Sequence, residues 1–518
     1  MRISKNKSKG MRLTLLAAMI ASPAVQALEI GPVSVDGFIR QHMSWNLHDQ
    51  YLSSGEKINS GGRMSMNRTT LQLEARASLP HDITFVAVGR ANWEQRLNYL
   101  KKLRDAGAYG DESIGDYYDD EELREAYFDI PVGDRAIFRL GKQQVVWGET
   151  DFFQAMDMVH GFNYQWRSFL EPANEDLRKP LIMANAMIDV PEVDGALQLI
   201  YRPGWDGTGD IGNSYDIEGG RWASNPWQGV HFPTVDPYNY KHKSGDYQDA
   251  TYGIRWSGLW NDMDYSFSYL KTFNPDPVMN ANPAFGGQAF KGEYGSDMAT
   301  TIGEVIYPMV DVFGFTLNGY ARTGDFVWST ELAYMKDAPF NFGGLGEGPE
   351  ACNNVLPHGF CGIKEKDVIR AMVRVDKSLR FTQDLLGTER PAFFSVQLFD
   401  TWIQNFNSKE NLKVLVGQPE RRKEHSMLLT TILGLSYMNG RVTPELVTGF
   451  DLTYGGGFAV PSVTYTIGDN WRIKGEFDLF WSDGYRKSGA PVDNSKDSSL
   501  FGWFENKDQF ALTVTYQF

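Results

Sequence analysis

Between positions 147 and 181 the chain reads W-G-E-T-D-F-F-Q-A-M-D-M-V-H-G-F-N-Y-Q-W-R-S-F-L-E-P-A-N-E-D-L-R-K-P-L. Apolar side chains (Trp147, Phe152, Phe153, Met156, Phe162, Tyr164, Trp166) are interleaved with Glu149, Asp151, Arg167 and Arg178. Such a mixture can grip apolar surface with rings and orient a polar end with charges, the chemistry of a constriction or substrate-contact loop. A loop this aromatic is not expected to lie bare in water, so residues 148–181 should enter a lumen or cover its mouth. Packing that merely plugs and stiffens a wall accounts for the same residues.

A second set of charges recurs at alternate positions of extended stretches: Glu74, Arg76, Arg90, Glu94, Arg96, Arg139, Arg255, Arg370, Arg374, Lys474, Glu476 and Asp478. Facing a lumen they would set an ion-selective field. A cross-strand ion-pair lattice filling a polar interior is the simpler expectation for most of them. The acidic run 116–122, D-Y-Y-D-D-E-E, offers hard oxygen ligands but lacks the spacing of a calcium loop, so a solvated acidic loop is expected. Histidines are scattered, with no H-E-x-x-H pair, and there is no G-x-S-x-G. G-G-L-G-E-G at 343–348 precedes no helix pattern, so it does not read as a phosphate loop. No metal, no cofactor and no catalytic residue is assigned. Cys352 and Cys361 lie in one Gly- and Pro-rich stretch, where a local disulfide is expected after export and two free thiols are the alternative.

The elements that would position these residues alternate with period two. The last ten residues, Q-F-A-L-T-V-T-Y-Q-F, place Phe510, Leu512, Val514, Tyr516 and Phe518 on one face and polar or small residues on the other. A strand of about ten residues with one apolar face spans a bilayer at barrel tilt. Residues 69–79 and 83–96 repeat the pattern around a tight turn at 80–82, with every charge on one face, and 122–130 and 135–147 read as a further hairpin whose second strand runs to Trp147. Read through the whole chain, about 18 such strands appear, with 16 possible, and their connections alternate between short and long. The one lapse is the short connection at 455–457. The alternation predicts an all-β, antiparallel transmembrane barrel with short periplasmic turns and long extracellular loops. The ring must close by pairing residues 509–518 with a first strand near 33–47, because an open edge in hydrocarbon leaves backbone groups unsatisfied.

Residues 1–27 read as a signal peptide: five basic residues, an apolar run at 13–21, and small residues Val25 and Ala27 at the cleavage spacing. Residues 28–518 then form a single barrel carrying 45 basic against 65 acidic residues, a poor partner for nucleic acid. No later apolar run approaches the roughly 18 residues of a spanning helix, which excludes a helical inner-membrane protein. Aromatic residues make up 14% of the chain, as expected where both membrane interfaces carry aromatic girdles.

L-R-E-A-Y-F-D at 123–129, R-L-G-K-Q-Q-V-V-W-G-E at 139–149 and L-R-K-P-L at 177–181 resemble an uncharacterised proteobacterial outer-membrane β-barrel family. Y-P-M-V-D-V-F-G-F at 307–315 and E-L-A-Y-M-K-D at 331–337 fit it too. Genes of that family often stand beside one for a periplasmic protein with a lipoprotein-carrier-like fold and one for a resistance-nodulation-division exporter. The resemblance implies a Gram-negative outer-membrane conduit moving hydrophobic or lipid-like molecules, with that carrier and exporter as partners. Outer-membrane lipid and the barrel assembly machinery are expected partners as well, the latter reading Tyr516 and Phe518. A porin-like uptake channel for small polar or aromatic solutes, and an outer-membrane lipid-modifying enzyme, are the alternatives.

Overall fold

The computed structural model describes residues 28–110, 112–150, 153–171, 174–206, 210–216, 218–224, 228–229, 235–236, 250–294, 303–343, 361–414, 420–482 and 501–518. The expected signal peptide lies outside them.

Eighteen antiparallel strands form the wall: β1 (Val33–Asn46), β2 (Met64–Ser78), β3 (Thr84–Glu94), β4 (Asp120–Val132), β5 (Ala136–Gln143), β6 (Leu181–Val190), β7 (Gly195–Arg202), β8 (Thr251–Trp260), β9 (Met263–Phe273), β10 (Met309–Ala321), β11 (Phe326–Phe342), β12 (Gly362–Leu379), β13 (Ala392–Ile403), β14 (His425–Gly434), β15 (Val442–Asp451), β16 (Gly457–Ile467), β17 (Trp471–Trp481) and β18 (Gln509–Gln517). Each pairs with its neighbours in sequence, and β18 closes the ring on β1 from Phe38↔Gln517 to Asn46↔Gln509. Phe518 continues that seam, exchanging two main-chain hydrogen bonds with Gly37 at 2.9 and 3.0 Å, while the Tyr516 ring packs on Trp471. The closed ring pairs the ladder groups that hydrocarbon could not satisfy.

The two faces follow the alternation. Phe128, Leu140, Ile254, Phe267, Phe313 and Val373 point outward and are exposed, forming an apolar band. Exposed Tyr201, Tyr252 and Trp402 mark the long-loop end of their strands, and Trp260, Tyr320 and Trp471 the short-turn end, as aromatic girdles do. The short rim uses tight turns such as Asn261-Asp262, where both residues take positive φ, as a two-residue hairpin of this twist requires. One longer connection there carries a short helix (Phe381–Leu386). On the other rim the single short connection joins β15 to β16, where the sequence shows its lapse.

Two strand ends differ from the sequence reading. β3 stops at Glu94, whose N–H donates to the Asp119 carboxylate at 2.7 Å. Arg96 therefore leaves the wall, and its guanidinium lies against Gly115 in α2 (Ile114–Tyr118), which comes after α1 (Asn98–Asp105) on the long-loop rim. β5 stops at Gln143 and not at Trp147, because Val145 N–H turns inward to the His160 ring at 2.9 Å. Trp147 and the residues after it, up to β6, belong to the interior.

A plain polar lumen does not describe the inner face. On β6, β9, β10, β11 and β12 it presents buried Met183, Leu270, Val312, Met335 and Val368 toward the long-loop end. On β14 to β17 it presents Ile432, Val447, Val460 and Phe480. Apolar inner walls of this kind must be covered, since leaving them to water forfeits about 25 cal/mol per Å².

Candidate functional site

The cover is the segment 144–180, which leaves β5, crosses the lumen and returns to β6. Its apolar side chains fit the wall. Trp147 and Met156 join the first apolar patch, and Met156 sits so tightly on Gly314 of β10 that a Cβ there would overlap its methyl group. Phe162, Phe169, Leu170 and Leu177 join the second patch.

Polar anchors reach it from around the ring. Glu331 of β11 accepts the backbone N–H groups of Glu149 and, at 3.1 Å, of Met156. Arg374 of β12 donates to the Glu149 carbonyl at 3.0 Å, and the Trp147 indole donates to Gln198 of β7 at 2.8 Å. Opposite, Arg40 of β1 pairs with Asp176 at 3.0 Å and Arg90 of β3 pairs with the same carboxylate. Arg124 of β4 donates to the carbonyls of Glu175 and Arg178 at 2.7 and 2.9 Å. Arg167 pairs with Glu476 of β17, with Asp478 at 3.5 Å and with Glu171 at 3.6 Å, and all but Glu171 are almost wholly buried.

The middle of the plug is a short extended stretch. Residues 161–164 are bonded on one edge to 177–179 and on the other to 212–214: Asn163 N–H donates to Leu177 O at 2.8 Å, and Tyr164 N–H to Ser214 O at 2.8 Å, before the chain turns at 165–167. Gly161 passes so close to Gly212 that any Cβ would overlap its carbonyl. Period two then sorts Phe162, Asn163 and Tyr164, and the turn that follows puts Gln165 on the side of Asn163. Phe162 and Tyr164 line a cavity of about 330 Å³, while Asn163 and Gln165 line a separate one of about 430 Å³. The first is walled by rings from both sides, including Phe153, Phe169, Phe399 and Phe501, with Arg370, Arg422 and Asp276 among them. The second is charged throughout, with Arg40, Arg68, Arg90 and Arg124 against Asp120, Glu122 and Asp176. Toward the short-turn rim a third space of about 270 Å³ is lined by Glu149, Arg255 and Asn318. Among the described residues these three share no lining residue, and the 161–164 stretch presents Phe162 and Tyr164 to the first and Asn163 to the second.

Of the residues proposed from sequence, Trp147, Glu149, Phe153, Met156, Phe162, Tyr164, Trp166, Arg167 and Arg178 all belong to this plug; Asp151 and Phe152 lie outside the described residues. Arg178 is spent inside the plug on Asp157 and, at 3.1 Å, on Gln144. Among the wall charges, Glu74 and Arg76 pair at 3.4 Å, Arg139 with Asp129 at 2.7 Å, Arg374 with Asp376 at 2.8 Å and Lys474 with Glu476 at 2.7 Å. Glu94 sits buried between Arg68 at 3.3 Å and Arg221 at 2.8 Å. The acidic run is used within the fold, Asp119 on Glu94 and Glu122 on Arg124. Cys361 is buried and disulfide-bonded, and Cys352 lies outside the described residues. Sequence reasoning passes over Glu331, Arg40, Arg124 and His160. Glu331 carries a usable signal, a carboxylate two residues before the inward Ala333 and Met335.

His160 is a latch. Its Nε2 accepts from Val145 N–H and its Nδ1–H donates to Lys179 O, both at 2.9 Å, so only the neutral ring fits. Burial, then the Arg178 and Arg202 charges, push its pKa down to about 3. In an undocked plug the ring returns toward 6.5, so the undocked state binds the extra proton and docking weakens as pH falls from 6.5 toward 3, by about 1.4 kcal/mol per unit. Hydrogen exchange of the 145–180 amides should therefore accelerate between pH 7.5 and 4.5 in the wild type, and that acceleration should shrink in His160→Gln once the intrinsic pH dependence is removed.

Arg167→Met leaves Glu476 and Asp478 buried with Lys474 as their remaining cation, a loss of about 3–5 kcal/mol. Trypsin or chymotrypsin should then cut within 148–181 in folded barrels that resist cleavage as wild type.

The sequence matches the family described as Protein of unknown function (DUF1302) over residues 12–518. No curated protein matches. Among solved structures the chain is similar to OccAB1 of Acinetobacter baumannii (9% identity, TM-score 0.46, covering 95% of this chain and 98% of that one). It is also similar to OpdK of Pseudomonas aeruginosa (8%, 0.45, 94% and 98%) and to OmpF of Salmonella typhi (8%, 0.39, 95% and 100%). Identities this low and superpositions this loose speak to neither substrate nor direction. A closed ring of eighteen strands with an apolar outer band and aromatic girdles sits in a Gram-negative outer membrane, and with a match over nearly its whole length the chain belongs to the DUF1302 family.

Proposed function

We propose that this barrel is a non-enzymatic conduit for hydrophobic or lipid-like molecules across the outer membrane. The observation that carries the reading is the ring-lined 330 Å³ chamber between the plug and an apolar inner wall. A water-filled diffusion pore has no use for such a wall, whereas an amphiphile gains by leaving water for it. Its partners would be a periplasmic carrier and a resistance-nodulation-division exporter, the neighbours that the family resemblance implies. Outer-membrane lipid would cover the apolar band, and the barrel assembly machinery would insert the chain.

The charged chamber favours a second reading, uptake of small polar or aromatic solutes, because Arg40, Arg68, Arg90 and Arg124 could guide an anionic solute past Gln165 and Asn163.

Planar-bilayer recording separates the two. The conduit reading expects wild-type protein to show no steady ion conductance and a variant lacking residues 148–180 to show a persistent one. Steady wild-type conductance that a polar solute blocks would replace the first reading with the second.

A further inference from the structure

The apolar chamber holds one charge that the protein leaves unspent. Arg370 projects from the inner face of β12 between Val368 and Met372, both buried, with Met372 packed on Ala155 of the plug. It makes no hydrogen bond or ion pair among the described residues, although the Asp276 carboxylate of the same cavity attracts it from beyond bonding distance. The acids around the same cavity are otherwise engaged. Asp157 pairs with Arg178, Asp276 accepts from Asn213 at 2.8 Å and Tyr215 at 2.7 Å, and Asp451 accepts the backbone N–H groups of Thr453 and Tyr454 at 3.0 and 2.9 Å. Asp400, outward on β13, is taken by His425 at 2.8 Å. Lys413 and Arg422 line the chamber too, as do the carboxylates of Asp276 and Asp451, whose donors are neutral.

From this we infer that the chamber is a binding site for an amphiphilic carboxylate, with the Arg370 guanidinium holding the head and the rings of Phe153, Phe399 and Phe501 the hydrocarbon body. Three features fit this ligand over a neutral lipid or a cationic amphiphile. A guanidinium presents a planar fork that matches a carboxylate in bidentate fashion. In a ring-lined space of low polarity an ionic hydrogen bond outweighs its value in water. Arg370 is half-buried, so its guanidinium is partly desolvated, and a ligand that neutralises it recovers part of that cost. The head sits beside the Phe153–Ala155 stretch, so a bound carboxylate touches the plug and the wall at once. The inference rests on the conduit reading and narrows its cargo from lipid-like molecules to anionic ones.

The test uses full-length protein in amphipol and equilibrium dialysis of decanoate, decan-1-ol and decylammonium at pH 7.5. Wild type should bind decanoate about tenfold more tightly than decan-1-ol, and decylammonium most weakly. Arg370→Met should lose that tenfold preference and keep its affinity for decan-1-ol, which also reports that the chamber is intact. Arg370→Lys should keep most of the preference, as the charge remains while the fork is lost. Equal binding of decanoate and decan-1-ol by wild type, or undiminished decanoate preference in Arg370→Met, overturns the assignment and leaves the conduit reading standing. No binding of any of the three overturns both.

Discussion

The lumen-crossing stretch 161–164 is held by main-chain hydrogen bonds along both edges, to 177–179 on one side and 212–214 on the other. Other features of the interior depend on that pairing. Backbone that enters a barrel loses the water that would satisfy it, and pairing is the economical answer. Once the segment is extended, period two decides which side chain meets which space. A helix in the same place would have scattered Phe162, Asn163, Tyr164 and Gln165 around its circumference, and the two chambers would have had the same lining.

The wall and the plug are made for one another. A barrel whose inner face carries Met183, Leu270, Val312 and Met335 cannot stand filled with water without losing the free energy those residues contribute when covered. The polar tethers add orientation more than net stability. Desolvating Arg167, Glu476 and Asp478 costs nearly what their attraction returns, but it fixes where the plug can sit, and a misplaced Arg167 would leave two carboxylates buried beside one lysine. The result is a lumen divided by chemistry, with rings and a few charges, Arg370 among them, on one side and dense mixed charge on the other.

Much of this is legible in the sequence. The strand count, the alternation of loop lengths, the short connection near 455 and the closure of β18 on β1 all come from period-two patterning against lipid, because one face of every strand is constrained by a single solvent. The inner face has no such uniform constraint. Met335 and Val368 look lipid-facing by hydropathy, and only the plug packed against them explains their inward positions. Trp147 reads as wall because V-V-W continues the strand pattern, yet the chain turns inward where Val145 finds His160. Arg96 reads as a lumen charge for the same reason, and Asp119 ends that strand early. The F-N-Y-Q alternation at 162–165 is present in the sequence but hidden inside a segment that reads as an irregular loop. Its partners, Ser214, Phe501 and Phe504, are distant in sequence and carry no local signal.

The division of the lumen is best measured by the reactivity of single cysteines introduced as Phe162→Cys, Asn163→Cys, Tyr164→Cys and Gln165→Cys in folded protein. Cys361 is disulfide-bonded and stays silent. A hydrophilic, charged thiol reagent should label positions 163 and 165 readily and 162 and 164 poorly, and a small apolar maleimide should reverse the order. Equal labelling of all four positions by both reagents would mean that the segment is a mobile loop in water, and the divided lumen would not stand.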